Sequence, residues 1–168
     1  MIAMLAKLLK ALNSDSAPGQ IALAFALGLI TGLTPLFSLH NLIVVFFACI
    51  IRLNFSAFLL ATAFFSGIAY LLDPASVALG ETLLTHAEYQ GFWTELYQSE
   101  LFRVMALNNT LILGSLLIAI MAFIPVLLLS RWLVTTYRVK FMAWVEKLKI
   151  TKLLKASKFY KVYQAIAE

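Results

Sequence analysis

No charged residue occurs between Asp15 and Arg52, between Arg52 and Asp73, or from Asn109 to Ser130. Long charge-free windows set between charged blocks are what a lipid bilayer demands of a chain. A charge at the bilayer centre costs roughly 2.5–3.5 kcal/mol even on mild insertion scales. A hydrocarbon core of ~30 Å needs about 20 apolar residues as helix. Composition agrees: 62% of the 168 residues are hydrophobic and 12% charged, where soluble domains average about 45–50% and about 25%. These values exclude a disordered chain and a nucleic-acid module. The single cysteine, Cys49, also excludes an internally disulfide-bonded scaffold.

The expected fold is therefore an all-α integral membrane protein, with transmembrane helices over residues 55–72 and 109–130. The stretch 17–54 is too long for one span and short for two. Thr34-Pro35 interrupts it, leaving helices from about Pro18 to Leu33 and from about His40 to Ile51. At 1.5 Å per residue these reach roughly 24 Å and 18 Å. A pair of short, thinned spans and a re-entrant hairpin both fit, and length favours the hairpin. Irregular backbone at membrane depth must be covered by protein or line a wet cavity.

Both alternatives predict the same sidedness. Residues 1–16 carry a net charge of +1, residues 73–108 a net of −4, and residues 131–168 a net of +7. The positive-inside rule places both termini in the cytoplasm and the acidic 73–108 segment outside. In a bacterium this is a multi-pass inner-membrane protein, N-in and C-in. Residues 1–16 lack the long apolar core of a cleavable signal peptide. They read as an amphipathic helix at the interface, with Asp15 or Ser16 capping the helix that follows and Pro18 in its first turn.

Within the hairpin, Ala24, Gly28 and Gly32 share one helix face and let another backbone approach closely. The 55–72 span offers a matching small-residue surface through Ala57, Ala61, Ala63 and Gly67. Thr34, Pro35, His40 and Asn41 form a candidate intramembrane polar site, because an unpartnered polar group in hydrocarbon costs several kcal/mol. Asn41 is a plausible cap for the second helix, and Thr34 can satisfy carbonyls freed near Pro35. These four residues close the hairpin tip, or they form a polar site within the membrane where His40 titrates or binds a lipid headgroup. The outer segment reads as two short amphipathic helices parted at Gly91, either lying on the leaflet or docking a partner. In the tail, Lys147, Lys149, Lys152, Lys155, Lys158 and Lys161 form a dense positive surface just inside a span. Each such lysine near anionic lipid is worth about 1 kcal/mol. Membrane lipid, not nucleic acid, is the expected contact.

Catalysis is not expected. No nucleophile stands beside a base, and His86 has no Cys or second His at ligand spacing. The chain reads as a non-enzymatic protein without cofactor or metal.

Several short runs occur in a fixed order: Pro18-Gly19-Gln20-Ile21-Ala22, Gly28-Leu-Ile-Thr-Gly32-Leu-Thr-Pro35, Ser38-Leu-His40-Asn41, Arg52-Leu-Asn54 and Tyr70-Leu-Leu-Asp73-Pro74. In them the chain resembles a family of small polytopic inner-membrane proteins of bacteria, whose domain has no assigned function. The resemblance covers about residues 17–75 and the segment layout. It implies a gene neighbour encoding a large AsmA-like envelope protein, of a class resembling lipid-transfer bridges. On that footing the expected function is a membrane subunit that anchors or feeds an extracytoplasmic lipid-transfer partner. The alternatives are a small homo-oligomeric transporter or scramblase-like protein, with Thr34, His40 and Asn41 along a polar path, and a structural or assembly factor. No acidic residue lies within the spans to couple ions, which disfavours a transporter.

Overall fold

The structure, a computed structural model, describes residues 16–141. The described residues are helical with no strands: α1 (Pro18–Leu33), α2 (Leu39–Ile50), α3 (Phe55–Thr85), α4 (Gln90–Leu96), α5 (Glu100–Met105) and α6 (Thr110–Thr136). A 3-10 turn, Ala87–Tyr89, precedes α4, and a π-helical turn, Tyr137–Phe141, follows α6. The expected helix within 1–16 and the six tail lysines lie outside the described residues.

Local chemistry explains most of the boundaries. Pro18 opens α1, where its missing N–H would have no helical partner anyway. The N-cap is Ala17, not Asp15 or Ser16, and its N–H donates to Gln20 Oε1 at 3.0 Å. Ser16 serves elsewhere: its hydroxyl accepts from the Asn54 amide at 3.2 Å, tying the start of α1 to the start of α3. Asn54 also caps α3, accepting from the Ala57 N–H at 2.8 Å. α1 stops at Leu33 because Thr34 precedes a proline and is extended, with φ −100° and ψ 156°. Ala106, with φ 54°, ends α5 in the left-handed region. Asn109 then caps α6, its Oδ1 accepting from the N–H groups of Leu111 and Ile112.

α3 is longer than the 55–72 span expected from sequence. It continues through Asp73-Pro74 to Thr85. The expected span ends at Asp73 because that is the first charge after Arg52; Pro74 beside it removes one N–H and disfavours a helical residue before it. Here the helix is continued by packing, because Ser76 and Gly80 beyond the proline are buried against α6. The two short helices expected on either side of Gly91 do not form as such: the residues up to Thr85 belong to α3, Gly91 lies inside α4, and the segment after α3 breaks instead at Tyr97–Ser99. It folds back on the end of α3. Trp93 Nε1 donates to the Leu83 carbonyl at 2.8 Å and Gln90 Nε2 to the Leu84 carbonyl at 2.7 Å, satisfying acceptors that a helix end leaves open.

The chain falls into two compact units, Met1–Arg131 and Trp132–Glu168, and the packing described here is that of the first. α1 and α3 run parallel. A Cβ added at Gly28 would lie 2.6 Å from Ala61 Cβ, and one at Gly32 would lie 2.7 Å from both Phe65 Cβ and the Thr62 carbonyl oxygen. α6 runs antiparallel to the outer half of α3. There Gly80 abuts the Thr110 backbone and Gly114 the Ser76 backbone, with no room for a side chain at either. The three helices meet where Leu29, Leu33 and Ala119 are buried under Phe65, Ile68, Leu72 and Ala122.

Among the described residues two helices are long and apolar enough to cross a membrane, Phe55–Thr85 and Thr110–Lys140. Only 17% and 22% of their most apolar stretches are buried, unlike the mostly buried core helix of a soluble protein. Their outward faces carry Phe64, Leu71, Ile120, Ile124 and Leu128, all exposed.

Candidate functional site

The turn between α1 and α2 reverses the usual polarity of a turn in water. Its polar side chains are inside: Thr31, Thr34, Ser38, His40 and Asn41 are all buried. Its tip is apolar and outside, with Leu36 60% and Phe37 105% exposed. α2 continues the pattern, exposing Leu42, Ile43, Phe46 and Phe47 while burying His40, Asn41 and Ala48.

Asn41 holds the turn together. Its amide donates to the Pro35 carbonyl at 3.0 Å and lies 3.5 Å from the Thr31 carbonyl. Its Oδ1 accepts from the Thr34 hydroxyl at 2.9 Å. That hydroxyl also lies 2.8 Å from the Ile30 carbonyl, so one proton is shared between two acceptors. The Ile30 carbonyl already accepts from the Thr34 N–H at 3.2 Å, so Thr34 does not serve the carbonyl freed by the proline; that one, of Thr31, lies near the Asn41 amide. Asn41 does not cap its own helix. The N-cap of α2 is Ser38, and Asn41 closes the carbonyl end of α1 instead.

His40 bonds through Nε2 to the Ser38 hydroxyl at 2.9 Å. Its Nδ1 is buried without a hydrogen-bond partner among the described residues. Such a group retains a desolvation penalty of order 1–3 kcal/mol. Thr34, Asn41 and the Pro35 carbonyl are therefore joined at one turn, and His40 lies on the same turn bonded to Ser38 and not to those three.

Sequence reasoning missed two further members. The Thr31 hydroxyl meets that of Thr62 on α3 at 2.8 Å, and Thr62 also donates to the Phe58 carbonyl at 3.0 Å. This links the turn's polar groups to the neighbouring helix between the two glycine contacts. Threonine can bond its own helix's carbonyls, so nothing in the sequence distinguished Thr31 and Thr62 from other helical threonines.

Of the residues expected to pack helices, Gly28 and Gly32 lie against α3 and Ala24 is buried on the same helix. Gly67 does not share the contact: a Cβ there would meet nothing within 4 Å. Its place is taken by Ala61, Thr62 and Phe65, because the helix turns Gly67 to the opposite side. No group of three or more His, Cys, Asp or Glu able to hold a metal occurs among the described residues.

A second feature lies at the far end of α3. A pocket of about 310 Å³ is bounded by Leu84, Trp93, Leu96, Tyr97, Phe102 and Asn108. α5, which contributes Phe102, also packs on α2.

Comparison with known proteins is consistent over most of the chain. An uncharacterised protein of Treponema pallidum (strain Nichols) is 30% identical over 138 residues, covering 82% of this chain and 85% of the relative. No solved structure matches this chain. A family model described as an uncharacterized protein conserved in bacteria (DUF2062) matches residues 3–142, and the chain belongs to that family.

Proposed function

We propose that the protein is a multi-pass inner-membrane protein, N-in and C-in, working as a non-enzymatic subunit beside an extracytoplasmic lipid-transfer partner. The observation that carries this reading is the inverted turn, with Leu36 and Phe37 outside and Thr34, His40 and Asn41 inside. In water that arrangement exposes apolar surface for no gain. In hydrocarbon it is the arrangement that leaves fewest polar groups unpaired.

Helix lengths support a tip that stops inside the bilayer. From Asn54 to Asp73 is about 28 Å of helix, close to the ~30 Å core. Gly32 meets α3 at Phe65, and about 12 Å of helix still separates Phe65 from Asp73. A hairpin ending near that level displaces lipid from one leaflet and not the other. Local disturbance of packing at this point lowers the barrier to drawing a lipid out. α1 and α2 form the hairpin, α3 covers it, and the segment beyond Asp73 faces the partner.

The AsmA-like class of that partner rests on the family resemblance and not on the geometry. A transporter with a polar path through Thr34, His40 and Asn41 has less support, because Thr34 and Asn41 are engaged with each other and with local carbonyls. The test is copurification of the tagged protein from its native membrane in mild detergent. A large extracytoplasmic protein of the lipid-transfer class is expected in stoichiometric amount. Recovery of the protein alone, from membranes that contain such a protein, would count against the subunit reading.

A further inference from the structure

We propose that α5 is a strap over the turn end of the hairpin, hinged at Ala106, and that its release uncovers His40. Such a device does not depend on which partner the protein serves.

Chain geometry fixes where α5 meets α2, on which it packs. Thr110 abuts Gly80, which stands 26 residues along α3 from Asn54, or about 39 Å. α2 ends four residues before Asn54 and is only about 18 Å long. Met105 is five residues from Thr110, a stretch that spans at most about 18 Å. α5 therefore reaches α2 only toward the turn. His40 and Asn41 stand there, buried in the first turn of α2.

The strap is lightly held. None of the residues of α5 is buried, and Leu101 and Val104 are exposed. Among the described residues its backbone bonds are local, from the Arg103 N–H to the Ser99 carbonyl and from the Ala106 N–H to the Arg103 carbonyl. Its ion pair, Glu100 with Arg103 at 3.8 Å, lies within it. Six residues of helix are too few to stand alone in water, and segments with few buried contacts open first.

Two costs are held in the covered state. Ala106 leaves α5 at φ 54° and ψ 33°, a conformation that a Cβ disfavours and that glycine usually supplies after a helix. Such residues persist where their surroundings hold them, and they gather at switches. At the turn beneath, His40 Nδ1 is buried with no hydrogen-bond partner among the described residues. Release toward the extracytoplasmic side gives that nitrogen water to pair with. One cost lies in the hinge and the other under the strap, and both fall when α5 lifts.

Hydrogen exchange on the full-length protein in nanodiscs reads this motion, because an opening that admits water exchanges the amides of one cooperative unit together. Residues 100–106 and 40–44 should behave as such a unit. Ala106→Gly removes the hinge cost from the covered state, less the extra freedom glycine has in the open one, so both segments should exchange about threefold more slowly. Ala106→Val, β-branched and ill suited to positive φ, should speed both by one common factor. If that variant does not fold, Ala106→Asn, which tolerates this region, should slow both as glycine does. Residues 110–120 of α6 should be unchanged throughout. A change in 100–106 that leaves 40–44 unmoved would overturn the strap. Unaltered exchange of both segments in Ala106→Gly would overturn the hinge, and the proposal with it.

Discussion

Replacing Gly32 by alanine should destabilise the protein, and replacing Gly67 by alanine should not. The new Cβ at Gly32 would sit 2.7 Å from Phe65 Cβ and from the Thr62 carbonyl oxygen, and 3.1 Å from the Ser66 nitrogen. Carbon atoms attract best at about 3.5–4.0 Å, so the overlap is of order 1 Å. Two of the three opposing atoms are backbone and the third is a Cβ, so no rotamer change relieves it. α1 and α3 must separate. A gap of 0.5–1 Å forfeits about a quarter to a half of each contact along the seam. Overpacking of this kind costs typically about 1–3 kcal/mol. Alanine recovers up to about 1 kcal/mol through helix propensity, so a net loss of about 1–2 kcal/mol is expected. Gly32→Leu should be worse. At Gly67 the same change meets open space, and only the propensity gain remains. Thermal unfolding in one detergent, followed by size-exclusion profile, compares the two variants directly. Equal melting temperatures for Gly32→Ala and Gly67→Ala would refute the close approach of α1 to α3.

Asn41→Ala strips the Pro35 carbonyl of its donor, while the Thr34 hydroxyl keeps its bond to the Ile30 carbonyl, and should lower stability by about 1–3 kcal/mol. His40→Ala removes one hydrogen bond to Ser38 and should cost about 0.5–1.5 kcal/mol; the same melts rank the two, and activity lost per folded molecule in His40→Ala would reveal a role beyond closing the turn. Gly114→Ala should be the most damaging alanine substitution of the set, since its Cβ would fall on the Ser76 backbone, and expression of folded protein is the readout. For the tail, changing Lys147, Lys149, Lys152, Lys155, Lys158 and Lys161 to glutamine should abolish binding of a 140–163 peptide to anionic vesicles. Wild-type binding should weaken as salt shortens the ~8 Å screening length, whereas equal binding to neutral vesicles would reject the electrostatic account.

Particular residues show what the sequence made legible. Thr34-Pro35 marked the end of α1 because a residue before proline avoids helix, and the structure breaks there. Gly28 and Gly32 stood out by spacing alone. Gly80 and Gly114 did not, since they matter only because α3 and α6 cross there, and a contact between positions so far apart leaves no local pattern. Asp73 bounded the charge-free window but not the helix, which packing beyond Pro74 carries on to Thr85. Asn41 was recognised as important, but its role was assigned to the wrong helix. Side-chain reach across a tight turn, here from α2 back to the carbonyls of α1, is a tertiary property. The pocket could not be anticipated, because Leu84 and Phe102 come from different helices brought together by the fold-back.

The membrane arrangement is tested most directly by cysteine accessibility in intact cells. On a Cys49→Ser background, Gln90→Cys, Phe37→Cys and Ala165→Cys are each exposed to a membrane-impermeant maleimide, before and after permeabilisation. The account predicts that position 90 labels in sealed cells, position 165 only after permeabilisation, and position 37 in neither while the protein is folded. Position 37 is the sharpest point, because Phe37 is fully exposed on the protein surface and only surrounding lipid can keep the reagent away. Ready labelling there would show that the tip meets water, and labelling of position 90 only from the cytoplasm would invert the topology; either result contradicts the account.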